Sequence, residues 1–217
     1  MSWFKRVMGL EAPAPKGALS ANGSPLGLRN GGMLCLDSSL KLLLDGHSYV
    51  VLPGDEKIWA TGRIDLGQAM TLWRFYLDDE DYFLQVVSNG PQPEDVQDII
   101  LFGYYSATPI NSRDELLRLT GPDSPIGLPT YEHEGEVFER QWGSEAGQTE
   151  LTPMLEQVAS PDSRYQVKHL SMLYARETGL IGRREFLLFS LEEDEEGNLT
   201  LTTAVGVTLA STDITVL

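Results

Sequence analysis

The stretch "LFSLEEDEEGNLTLTT", Leu188 to Thr203, decides how the chain is read. Two strand-like runs flank five consecutive acidic residues, Glu192 to Glu196, and a Gly-Asn pair. A calcium loop of the EF-hand type needs alternating oxygen ligands, a central glycine, a bidentate glutamate at the twelfth place and helices on both sides. Here the acids are contiguous, no late glutamate follows, and the flanks lack helical spacing. Strand, solvated acidic turn and returning strand account for the pattern. The charge also sits beside the aggregation-prone "FLLF" run, where a gatekeeper is needed. "LWRFYLDDEDYFLQVV" has the same layout, with its turn at Asp78–Asp81. A cation site joining the two acidic tips is the functional alternative to two solvated turns.

Outward from these hairpins the chain keeps its β texture from Gly32 onward. "MLCLDSSLKLLL" and "SYVVLPG" flank Asp45-Gly46, a dipeptide that favours hairpin turns. "KIWATGRIDLG" and "QDIILFGYYSATPI" read as strands rich in β-formers, and "TYEHEGEVFERQW" as a hairpin around Glu134-Gly135. "YQVKHLSMLYARE", "REFLLFSLEED", "NLTLTTAVGVTL" and "DITVL" complete the set. The clearest helix is "SRDELLRLTG", where Ser112 and Glu115 have capping-box spacing and Gly121 supplies the stop. "TPMLEQVAS" is compatible with strand or short helix. The expected fold is mainly β (β-rich α+β), with one or two short helices. Its strands form two packed antiparallel sheets or two small β subdomains. In the second case the halves are 31–111 and 130–217, joined by the helix and the Pro-rich "TGPDSPIGLP".

Residues 1–30 differ from this body, 31–217. In "MSWFKRVMGL" the side chains Trp3, Phe4, Val7 and Met8 recur at helical spacing, and Lys5 and Arg6 face elsewhere. "EAPAPKGALSANGSPLG" then has linker composition. Because so short a helix is not stable alone in water, the apolar stripe calls for a partner's groove, the body itself or a membrane surface. Arg74 and Tyr76, within the aromatic run Trp73–Tyr76, are a second candidate contact, provided that face of the strand is open.

Composition narrows the function classes. The formal net charge of −16 repels a phosphate backbone, and the scattered Lys and Arg form no basic stripe, so nucleic acid is not an expected partner. The single Cys35 excludes an internal disulfide and any zinc site built on two thiolates. His47, His133 and His169 fall in no ligand spacing, so no metal is expected. No G-x-S-x-G elbow, G-x-G-x-x-G or G-x-x-x-x-G-K-[ST] loop occurs, and no cofactor is implied. "GLIGRRE", Gly179–Glu185, reads as a hairpin connection with arginines towards solvent. No run of about 20 apolar residues and no signal peptide is present, which gives a cytoplasmic expectation.

The opening "WFKRVMGL", together with "LWRFYLDDEDYFLQV", "ILFGYYSATPINS", "MLYARETGLIGRREFLLFSLEE" and "GNLTLTTAVGVTL", resembles the YjfK-like proteins, a bacterial family of unknown function. That resemblance implies a cytoplasmic protein often encoded beside a phage-shock A type membrane-stress protein and a small integral membrane protein. ATP-grasp ligases resembling glutathionylspermidine synthetase recur in the same neighbourhood. It carries over no catalytic residues. The functional expectation is a non-enzymatic accessory or adaptor protein of an envelope or stress-response system that acts through protein contacts. The alternative is an enzyme or ligand-binding module whose pocket forms only in three dimensions.

Overall fold

The computed structural model describes residues 23–217. After β1 (Met33–Leu36), a first meander runs through β2 (Glu56–Gly67), β3 (Met70–Leu77), β4 (Tyr82–Ser88) and β5 (Val96–Ile110). A short hairpin, β6 (Thr130–His133) and β7 (Glu136–Arg140), leads to the second meander. This comprises β8 (Thr152–Ala159), β9 (Arg164–Glu177), β10 (Arg184–Glu193) and β11 (Leu199–Thr208), and β12 (Ile214–Val216) ends the order. β5 pairs with β11, and β2 pairs with β8, both antiparallel. The eight strands of the two meanders therefore close into a barrel in the order β2-β3-β4-β5-β11-β10-β9-β8. The chain is mainly β as expected, but one sheet closed on itself replaces the pair of stacked sheets. The physical reason is edge pairing: each meander presents two free edges, and each edge finds its match in the other.

Alternation fixes what each strand contributes. Inside the barrel, Tyr76, Phe83, Phe102, Val167, Phe186 and Leu188 form one buried cluster. The opposite faces of β3, β4, β5 and β11 are also covered. Phe75, Leu77, Leu84, Leu101 and Val207 pack beneath Leu28, Leu34, Leu40 and Leu44. Strands buried on both sides read as near-continuous apolar runs, which explains "WRFYL" and "IILF". A third cluster joins Phe138 of β7 and Ile126 to Tyr174, Leu187 and Phe189. β6–β7 thus extends the barrel wall beyond β9.

One local expectation is corrected and one open reading is resolved. "SSLKLLL" forms a helix, α1 (Leu40–Leu44), because Leu40 and Leu44 share the face turned to the barrel. Asp45-Gly46 ends that helix, with Gly46 at φ 73°, instead of turning a hairpin. "TPMLEQVAS" is strand β8, because two neighbours, β2 and β9, claim its backbone. The second helix, α2 (Arg113–Thr120), lies where the capping box puts it, and Ser112 Oγ accepts from Glu115 N at 3.2 Å.

Candidate functional site

Inward positions in the middle of the barrel carry charge. On β3, Arg74 lies between the inward residues Leu72 and Tyr76; on β8, Glu156 lies between Met154 and Val158; on β9, His169 lies between Val167 and Ser171. Each of the three is nearly or fully buried. Arg74 Nη1 donates to Glu156 Oε2 at 3.0 Å, and Tyr76 Oη donates to Glu156 Oε1 at 2.8 Å. His169 Nε2 lies 2.8 Å from Glu156 Oε2. On its other side, His169 Nδ1 meets Ser190 Oγ at 3.0 Å and lies 3.8 Å from Glu192 Oε1. Thr202 Oγ1 donates to that same Glu192 oxygen at 2.9 Å. Gly62, the β2 partner of Arg74, makes this possible. A Cβ there would overlap the Glu156 carboxylate.

The two buried glutamates are driven in opposite directions. Burial pushes the Glu156 carboxyl up, but Arg74 and then His169 and Tyr76 outweigh it and hold the group down at about 2. For Glu192 burial wins, and its carboxyl is raised despite His169, Arg74 and Thr202. Burial likewise raises the hydroxyls of Tyr76 and Tyr104 well above the usual range. Glu156 is thus the ionised partner of Arg74, and Glu192 is the carboxyl whose ionisation burial opposes. Buried charge survives only when paired in this way.

Behind this network one mouth of the barrel opens into a cavity of about 910 Å³. Its apolar wall comes from Ile64, Leu72, Val87, Ile100, Met154 and Leu173. Trp142 borders it from the segment after β7. Gln85 lines it as well, and its Oε1 takes a long hydrogen bond from Arg74 Nε, 3.4 Å. Asp98 lies at the start of β5, where burial raises its carboxyl against the pull of the Ile99 amide and Arg184. An eight-stranded barrel is just wide enough to be filled by side chains or to hold one small ligand. This one is filled at one end and hollow at the other.

The sequence candidates fall in different places. Trp3, Phe4, Val7 and Met8 lie outside the described residues. Arg74 and Tyr76 are only 3% and 4% exposed and face the barrel interior, so they form no outer contact surface. The acidic run divides: Glu192 is buried and Glu193 still belongs to β10, while the turn proper begins at Asp194, which holds Asn198. His133 is half-buried, with its ring against Tyr105 and Phe138. Arg183 and Arg184 do not simply face solvent: Arg183 bonds Asp213 and the Thr208 carbonyl, and Arg184 bonds Gln141. Among the described residues no group of His, Cys, Asp and Glu has the geometry to hold a metal ion. Glu156, Gln85 and Glu192 were missed as site residues. Their signal is parity: each is polar at a position that the alternation assigns to the buried side.

Fold and site together define a class, the small closed β-barrel with an ion-paired middle and a cavity at one mouth. Within it, the chain belongs to the family described as protein of unknown function (DUF2491), whose model matches residues 3–215. It is 28% identical over 172 residues to the uncharacterized protein YjfK of Escherichia coli (strain K12), covering 78% of each chain. No solved structure matches it. Among the described residues no helix is long and apolar enough to cross a membrane.

Proposed function

We propose that this barrel binds a small, largely apolar molecule as a carrier or sensor and carries out no chemistry on it. The observation behind this reading is the half-open cavity of about 910 Å³ at the barrel mouth, whose apolar side chains are interleaved with polar ones, among them Arg63, Asp65, Gln85 and Asp98. Volumes of about 300–1,000 Å³ with that lining are typical of ligand sites. Saturable binding of the neutral fluorescent probe N-phenyl-1-naphthylamine tests it. Val87→Trp and Met154→Trp, each at the cavity wall, should abolish the signal while leaving the thermal melt cooperative. Absence of probe binding to the wild-type protein would reject the reading.

A second reading keeps the cytoplasmic accessory protein that acts through protein contacts, the role the family resemblance implies. It draws on Leu42 at 82%, Val51 at 72% and a fully exposed Ile181. The loops that carry Val51 and Ile181 meet where His47 and Tyr49 bond Thr178 and Glu185. A triple Ser variant at these positions should lose native co-purifying proteins yet keep probe binding. Unchanged partners would discard this reading alone.

A further inference from the structure

Gln85 decides what the cavity reads. Its side chain is almost fully buried and borders the cavity. Arg74 Nε, a donor with no acceptor capacity, lies 3.4 Å from Gln85 Oε1. The opposite amide orientation would set two donors against each other, so the flip is fixed by Arg74. The Nε2 amide, with two N–H donors, makes no hydrogen bond among the described residues. Because Gln85 lines the cavity, that amide is within reach of an acceptor on a bound molecule.

Charge then selects among acceptors. The Arg74 guanidinium gives Nη1 to Glu156 and Nε to Gln85, so its charge is balanced by Glu156, while its Nη2 is buried without a hydrogen-bond partner. Arg63, at the cavity rim, lays its guanidinium over the Trp73 ring at 5.7 Å on the outer face. Asp65 and Asp98 border the cavity, and the chain carries −16. A carboxylate beside Gln85 would share the cavity with Asp65 and Asp98, and the charge of the neighbouring Arg74 is already balanced by Glu156, so its burial is disfavoured. A neutral carbonyl oxygen needs only the amide donor.

We propose that the cavity takes an uncharged, largely apolar molecule with a carbonyl oxygen, an ester, ketone or amide, received by Gln85 Nε2. This rests on the ligand-binding reading above and names the ligand class. Ile64, Leu72 and Ile100 enclose the apolar part of such a molecule, and Trp142 flanks it. Gln85 is the residue that separates it from a plain hydrocarbon.

Competition against N-phenyl-1-naphthylamine at neutral pH, with methyl decanoate, decanoate, decylamine and decane, tests the assignment. Methyl decanoate should displace the probe at least about tenfold more effectively than decanoate, and severalfold better than decane, as one neutral hydrogen bond allows. In Gln85→Met the ester should fall to the level of decane, with probe affinity retained. Should that variant fail to melt cooperatively, Gln85→Glu supplies the second test, since it removes the donor and must reduce ester binding. Decanoate or decylamine binding as well as the ester would overturn the assignment while leaving the cavity a binding site. An ester no better than decane on the wild-type protein would do the same. If the probe itself does not bind, the ligand-binding reading falls, and this inference with it.

Discussion

Glu156 and Glu192 share His169, yet their environments make opposite predictions for stability. Glu156 is held down at about 2, below its unfolded value, so it contributes stability above the unfolded pKa that is lost as pH falls through the folded one. Glu156→Gln should therefore cost about 3–5 kcal/mol at neutral pH, because it leaves Arg74 buried without its counter-charge. The part due to titration should shrink as pH is lowered from about 5 toward 2. Glu192 has a raised pKa caused first by burial. Its ionisation opposes folding as pH rises, and Glu192→Gln should stabilise the protein at neutral pH while making little difference in acid. Urea denaturation across pH 3–8 measures both. Two variants that shift stability in the same direction would contradict the opposite shifts of the two carboxyls. Gly62→Ala should cost about 1–3 kcal/mol or more, since the methyl has only the Glu156 carboxylate to displace. Sequence alternation already placed Arg74 and Tyr76 on one face of a strand. Whether that face was open or enclosed depended on closure by β8 and β11, segments about 80 to 130 positions away, and no local pattern reports such a contact.

The run "LKLLL" shows what an element conceals. Its leucines look equivalent in the sequence, yet as α1 they divide, with Leu40 at 1% exposure and Leu42 at 82%. Leu40 and Leu44 cover the outer face of the barrel beside Phe75 and Leu84. Leu40→Ala should cost about 2–5 kcal/mol as a core truncation. Leu42→Ser should stay within about 0.5 kcal/mol, as surface changes do. Equal effects of the two, measured by chemical denaturation, would mean that α1 does not dock as described. The hairpins were legible because turn chemistry and alternation agree, as at Glu134-Gly135, where both residues take positive φ. Asp45-Gly46 misled because the same dipeptide suits a helix end and a hairpin turn. β8 was ambiguous for another reason, since four of its eight positions, Thr152, Pro153, Glu156 and Gln157, are polar or Pro and only pairing to β2 and β9 makes it a strand.

At the scale of the molecule, the two meanders meet along two seams of unequal length. β5 and β11 share ten paired positions, whereas β2 and β8 share four, Thr61–Ile64 against Glu156–Ala159. Arg74–Glu156 reinforces the shorter seam from inside, reaching across β2 from β3 to β8. Amide hydrogen exchange should therefore find β8 and the facing part of β2 opening before β5 and β11, with ligand in the adjoining cavity slowing it. The likeness between the two strand–acidic turn–strand stretches belongs to this larger pattern: each half of the chain supplies four consecutive antiparallel strands. The sequence left open whether those halves, 31–111 and 130–217, fold separately. Closure argues that they do not. Each meander alone would expose two unpaired edges and the apolar side of a half-barrel, and the Arg74–Glu156 pair would be split between them. Fragments 23–111 and 112–217, expressed separately, should show no cooperative unfolding transition. Mixed in equal amounts, they should recover one, together with probe binding at the cavity, because both seams and the polar middle are then restored. A cooperative transition from either fragment alone would show that half the barrel suffices as a folding unit.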